Sequence, residues 1–234
     1  MLQLHLQNLD LLKEQVVFAR NRVAKTIEEK QALVEILESI SKPSSETLAI
    51  IGRIYKDCWS ISVDQEDEIQ QKYFLNNAIY NYQQASYLDT RDTYPAINYA
   101  TLLRIRSNRG DLAEMRSVLD CLHYNLKVTT TVFDPESFAE LDKLIGIKHI
   151  AKRTADYWDT ATAFEMYVLR GHQDQVWQLK EQLINRCTEK WMLATTLNNL
   201  ILLCQHDTCS PTWLITIIES LTAALTAFDK QGHN

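Results

Sequence analysis

Apolar residues along this chain recur at steps of three and four rather than two, which predicts one helix after another. Leu4, Leu9, Leu12, Val16 and Ala19 form a stripe over Leu2 to Val23, with Lys13, Glu14 and Arg20 off it. Thr26 and Glu29 spell a capping box, and Ala32, Ile36 and Ile40 continue one face until Lys42-Pro43 stops the helix. Ser44 or Ser45 caps the next helix, which contains Leu48, Ile51, Gly52 and Tyr55, and its partner carries Ala78, Tyr82 and Ala85. Tyr94 to Arg106 is closed by Asn108-Arg109-Gly110. Asp111 then caps a helix with Glu114 in its first turn and Leu119 and Leu122 inward.

Further on, Lys127 to Phe133 is β-branched and breaks the rhythm, and Asp134-Pro135-Glu136 restarts a helix. Asp156 to Arg170 ends at Gly171, Val176 to Ile184 supplies its partner with Leu179 and Leu183 inward, and Lys190 to Cys204 follows. Ser210-Pro211 caps a last apolar helix, Thr212 to Phe228. The expectation is an all-α chain, residues 1–234 forming one domain of about five helical hairpins. Residues 128–153 are an irregular insertion, and a C-terminal capping helix lies within 206–234.

Leu48, Ile51-Gly52 and Tyr55 have the spacing of the first helix of a tetratricopeptide repeat, and Ala78, Tyr82 and Ala85 that of the second. The chain therefore resembles a tetratricopeptide-like α-solenoid, with pairs stacked into a right-handed arc and a concave inner face. A helical glycine costs about 1 kcal/mol relative to alanine, so Gly52 marks a place where a partner helix comes too close for a Cβ. Tyr55 and Ala78 stand roughly 14 residues further apart than in an unmodified repeat. The excess, around Asp64 to Gln71, is either a functional loop or an extension of the helices.

Repeat register names the residues that face the groove. With Gly52 at the eighth repeat position, Arg53, Lys56 and Asp57 lie on the groove side; with Ala100 there, so do Tyr94, Asn98, Thr101 and Arg104. Counting back from Gly171 adds Trp158 and Glu165. Arginine and lysine offer charge-assisted hydrogen bonds to carboxylate or phosphate, and the aromatic faces can stack on a planar group. The competing account is a solvated helix end with weak ion pairs and aromatics that only pack.

Composition narrows the picture. The 5 Gly and 4 Pro are too few for a many-stranded sandwich, and the formal charge of −6 argues against a general grip on DNA, RNA or anionic membrane. Five dispersed cysteines fit free thiols in a reducing cytoplasm, and no apolar run reaches about 20 residues. Nucleotide-binding glycine loops, metalloprotease and hydrolase signatures and CxxC pairs are missing, so no catalytic residue, cofactor or metal is expected. Cys204, His206 and Cys209 lack a fourth ligand.

Four blocks, PSSETLAIIGRIYKD (Pro43 to Asp57), YPAINYATLL (Tyr94 to Leu103), DYWDTATAFEMYVL (Asp156 to Leu169) and KWMLATTLNNLILL (Lys190 to Leu203), resemble the TRAFs-binding region of apoptosis-signal-regulating kinases, which are mitogen-activated protein kinase kinase kinases, over about residues 31–205. The resemblance implies a tetratricopeptide-like, non-catalytic regulatory domain that binds a protein partner such as a TRAF adaptor and controls an effector. Matched by block, Arg53, Tyr55, Lys56, Asp57, Asn98, Tyr99, Trp158 and Asp159 fit the family pattern. A narrower reading, from bacterial relatives, is a receptor for an anionic, nucleotide-derived second messenger of the ADP-ribose or NAD type in a prokaryotic immunity system. A third class, a hydrolase built on Asp57 or Asp159, lacks the metal spacing.

Overall fold

The computed structural model describes residues 2–129, 157–207 and 210–231. Ten helices, joined by turns, make up the described chain: α1 (Leu2–Asn21), α2 (Ile27–Glu38), α3 (Ser45–Asp64), α4 (Glu68–Leu88), α5 (Thr93–Arg106), α6 (Asp111–Thr129), α7 (Tyr157–Arg170), α8 (Gln173–Arg186), α9 (Lys190–His206) and α10 (Trp213–Gln231). The expected all-α solenoid architecture is the one observed, with no strand among the described residues. The irregular segment expected over 128–153 lies, beyond Thr129, outside the described residues. No described helix is long and apolar enough to cross a membrane.

Contacts divide the chain into two compact units, residues 1–102 and 103–234, so α5 contributes its first ten residues to one and its end to the other. In the first unit α1 packs on α2 and on α3, α2 packs on α3, and α3 and α4 make the most extensive pairing. The core joins Val17 of α1, Val34 and Leu37 of α2, Ile54 and Cys58 of α3 and Phe74, Ala78 and Tyr82 of α4. In the second unit α7 pairs with α8 and α9 with α10, while α7 also touches α9 and α8 touches α10. First helices stacking on first and second on second is the packing rule of an α-solenoid.

Local chemistry sets the boundaries. Thr26 and Glu29 form the expected capping box, and two backbone N–H groups, of Lys25 and Thr26, hold the Glu29 carboxyl below its usual range. Ser44 caps α3 with Thr47 as its reciprocal partner, and both hydroxyls also donate to Glu14 of α1. The length excess between Tyr55 and Ala78 proves to be helix: α3 runs on to Asp64 and α4 begins at Glu68, joined through Glu66 at φ +56°. Glutamine and glutamate are good helix formers, so this stretch lengthens the hairpin instead of looping out. Gly171, at φ +71°, ends α7 where expected.

Asp111 opens α6 and draws in the turn before it. It accepts from the Asn108 N–H at 2.8 Å and from the Arg106 guanidinium at 2.8 and 2.9 Å, and these bonds, the Arg106 ones first, hold its carboxyl below the usual range. A carboxyl lowered by folding contributes stability above its unfolded pKa of about 4 and loses it as pH falls through the folded value. Asp111→Ala is expected to cost about 2 kcal/mol at neutral pH. In urea titrations the gap from wild type should close as the pH falls below about 4.

Candidate functional site

In the first unit the side chains after Gly52 gather a polar cluster. Arg53, Lys56 and Asp57 stand at i, i+3 and i+4 on one side of α3. Lys56 Nζ donates to Asn98 Oδ1 at 2.7 Å and lies 5.9 Å from the centre of the Tyr82 ring. Asn98, buried on α5, is itself oriented by donating Nδ2 to the Tyr94 carbonyl at 2.9 Å. Arg53 hydrogen-bonds the Tyr94 side chain and sits 5.7 Å over the Phe18 ring, which Arg22 also approaches at 4.8 Å. Asp57 accepts from Asn21 Nδ2 at 2.8 Å and from Lys30 Nζ at 3.3 Å.

Burial pushes the Tyr82 and Tyr94 phenols above their usual range, Tyr94 in spite of the nearby Arg53, so both hydroxyls, 3.5 Å apart, stay protonated. Asp57 thus has Lys30 and Arg53 close by, and Lys56 extends the same side of α3 toward Asn98, in a chain whose net charge is −6. Half-buried Arg53 and Lys56 are held by hydrogen bonds to Tyr94 and Asn98, so their rotamers are set before any partner arrives. The arrangement suits charge-assisted hydrogen bonding to an external carboxylate or phosphate.

Of the candidate binding residues, Arg53, Lys56, Asp57, Tyr94 and Asn98 are brought together here. Sequence reasoning missed Phe18, Asn21, Lys30 and Tyr82. Lys30 carried a signal: it falls on the α2 stripe of Ile27, Val34 and Leu37 and is as buried as they are. A lysine on an apolar stripe requires an anion from another helix.

The candidates Arg104, Trp158 and Asp159 belong to the second unit and do not form one group. Trp158 lies edge-on to Tyr157 at 5.0 Å and against Trp191 at 5.7 Å. Its neighbour Asp159 is buried on α7, whose contacts with α9 include Tyr157 to Thr196 at 2.9 Å and Asn199 donating to Glu165 at 3.1 Å. Arg104 instead pairs with Asp207 at 2.9 Å beside a cavity of about 460 Å³. That cavity is lined by apolar side chains including Met115, Leu119 and Val168, by Arg104, Arg116, Arg170 and His172, and by the carboxylates Asp120 and Asp207. Arg116, Arg170 and His172 were not anticipated, because nothing local brings α6 to the α7–α8 turn. Among the described residues no three His, Cys, Asp or Glu converge for a metal, and Cys209 lies outside them.

Hairpins stacked in this way, with polar side chains gathered from several helices, define a helical-repeat scaffold of the α-solenoid kind. The chain belongs to the MAP3K TRAFs-binding domain family, whose model matches residues 2–212. It is 25% identical over 196 residues to mitogen-activated protein kinase kinase kinase 15 of Mus musculus, covering 82% of this chain and 13% of that protein. It is 26% identical over 203 residues to mitogen-activated protein kinase kinase kinase nsy-1 of Caenorhabditis elegans, covering 82% of this chain and 12% of that one.

Proposed function

We propose that the chain is a non-catalytic cytoplasmic module whose Arg53, Lys56 and Asn98 face holds a carboxylate-bearing segment of a partner protein and relays that event to an effector. The observation that carries this reading is the pair of half-buried cations, Arg53 and Lys56, held in place by Tyr94 and Asn98 of the next helix. The family's description as a TRAFs-binding domain supports a protein, such as a TRAF adaptor, as the partner class. The test is a binding titration of a purified TRAF adaptor against wild type and an Arg53→Gln, Lys56→Gln variant. Glutamine removes each charge while keeping a hydrogen-bonding group, so melting should shift little while affinity falls about tenfold or more. Unchanged affinity in the variant would overturn the assignment of this face.

The three arginines that line the second unit's cavity, Arg104, Arg116 and Arg170, favour a second reading, an anionic small molecule of the nucleotide-derived class. The volume is of ligand size, and the Asp120 carboxylate paired with Arg170 is 77% exposed, so the pair can be exchanged for a ligand at little cost. Including nucleotides and ADP-ribose in the same titration separates the readings. A thermal shift that survives Arg53→Gln, Lys56→Gln and disappears on Arg116→Gln, Arg170→Gln would place the ligand in the second unit.

A further inference from the structure

Helix α1 turns the apolar stripe that periodicity picks out toward water. Leu9, Leu12, Val16 and Val23 are 49%, 59%, 40% and 71% exposed, and Ala19 between them is exposed as well. Among the described side chains of the helix, Val17 is the one buried apolar residue. Polar groups hold the inner side instead. Glu14 accepts from Ser44 and Thr47 at the start of α3, while Asn21 donates to Asp57 at 2.8 Å and accepts from Lys30 at 2.8 Å. An outer helix of a solenoid ordinarily presents polar residues to solvent, and a contiguous apolar stripe in that place marks a contact surface.

Spacing and charge say what covers it. Leu9, Leu12, Val16, Ala19 and Val23 follow one another by alternating steps of three and four, a seven-residue repeat held over about 21 Å of helix. A seam at that spacing matches a second helix crossing at a shallow angle, whereas a lipid surface asks for no register. Valine at 16 and 23 with leucine at 12 is the pattern that favours two-stranded pairing, and Ala19 leaves room for a large side chain from the other helix. The flanks are basic although the chain as a whole carries −6: Arg20 borders the stripe on one side and Arg22 on the other, both exposed. The two carboxylates of α1 are already engaged, Asp10 with Lys13 at 3.8 Å and Glu14 with Ser44 at 2.8 Å. A second copy of α1 therefore brings no acid to either arginine.

We infer that the outer face of α1 docks an amphipathic helix of a partner protein, one with an apolar heptad seam and acidic residues on both flanks where it meets Arg20 and Arg22. The seam buries Leu12 and Val16 near its centre, and the flanking carboxylates pair with the arginines. Apolar contact then supplies the affinity, and charge supplies the choice of partner. A single helical strip buries less than the roughly 1,600 Å² of a standard interface, so the complex is reversible.

The probe is a fluorescent synthetic peptide of three heptads with isoleucine at a, leucine at d and glutamate at e and g, set against the same peptide with lysine at e and g. In anisotropy titrations with the 234-residue chain the glutamate peptide should bind at about 10 to 100 µM, and the lysine peptide at least about tenfold more weakly. Leu12→Gln with Val16→Gln removes two exposed apolar groups and should abolish binding while leaving the melting temperature unchanged. Leu9→Gln with Val23→Gln is the substitute pair if that variant does not fold. Arg20→Gln with Arg22→Gln should narrow the difference between the two peptides to about twofold. A glutamate peptide that stays unbound up to about 1 mM, a lysine peptide that binds as well, or binding indifferent to the Leu12 and Val16 changes would overturn the inference. So would self-association of wild type, or its adsorption to phosphatidylserine vesicles, that the Leu12 and Val16 changes remove.

Discussion

A valine at Gly52 is expected to cost the first unit about 3 kcal/mol, the upper end of the usual range for overpacking a core. A Cβ at this position would stand 3.0 Å from Cγ of Tyr82 and 3.1 Å from both of its Cδ atoms. Tyr82 cannot move away: its ring is fully buried, lies edge-on to Tyr94 at 6.1 Å and has Lys56 above it. Alanine tests the balance more finely. It gains about 1 kcal/mol of helix propensity and loses about 1 to 3 kcal/mol to the clash, so a net loss near 1 kcal/mol is expected. Valine adds two methyl groups and a stiff χ1 to the same clash, and urea unfolding should show a far larger drop. Displacement of the ring would also disturb Lys56 and Tyr94, so loss of stability and loss of the polar cluster should arrive together. A Gly52→Val protein with an unchanged midpoint would remove close packing of α3 on α4 as the reason for a glycine here.

That constraint was legible because it is local. A glycine between apolar residues with an aromatic three positions on, and caps such as Thr26 and Ser44, are written within a few residues of where they act. The same periodicity placed Arg53, Lys56 and Asp57 on one side of α3 and Asn98 on the helix that meets it. What closes around them was not legible, since Asn21 and Lys30 reach Asp57 from 36 and 27 residues away. Glu14 binds the cap of α3 from 30 residues away. Helical periodicity says which face of a helix is buried and is silent on which helix buries it. The length excess before Ala78 shows the same limit. Counting revealed the extra residues, but loop and helix extension differ there only in propensity, and the tertiary contacts of α3 with α4 decide between them.

Arg104 is where register and packing give the most different answers. Register sets it beside Asn98 as a groove residue; in the second unit its Nε donates at 2.9 Å to Asp207, whose side chain is only 4% exposed. Removing one member of a buried pair is much worse than removing both, because the remaining charge keeps its desolvation penalty and loses its attraction. Arg104→Ala is therefore expected to cost about 3 kcal/mol, whereas Arg104→Met combined with Asp207→Leu should recover most of that loss. Urea unfolding of the wild type, both single variants and the double variant measures the coupling directly. A residue acting only as a ligand contact would leave the midpoint unchanged and give additive effects. Strong coupling would instead assign Arg104 to holding the loop after α9 against the end of α5, leaving Arg116 and Arg170 as the cavity's cations for an incoming anion.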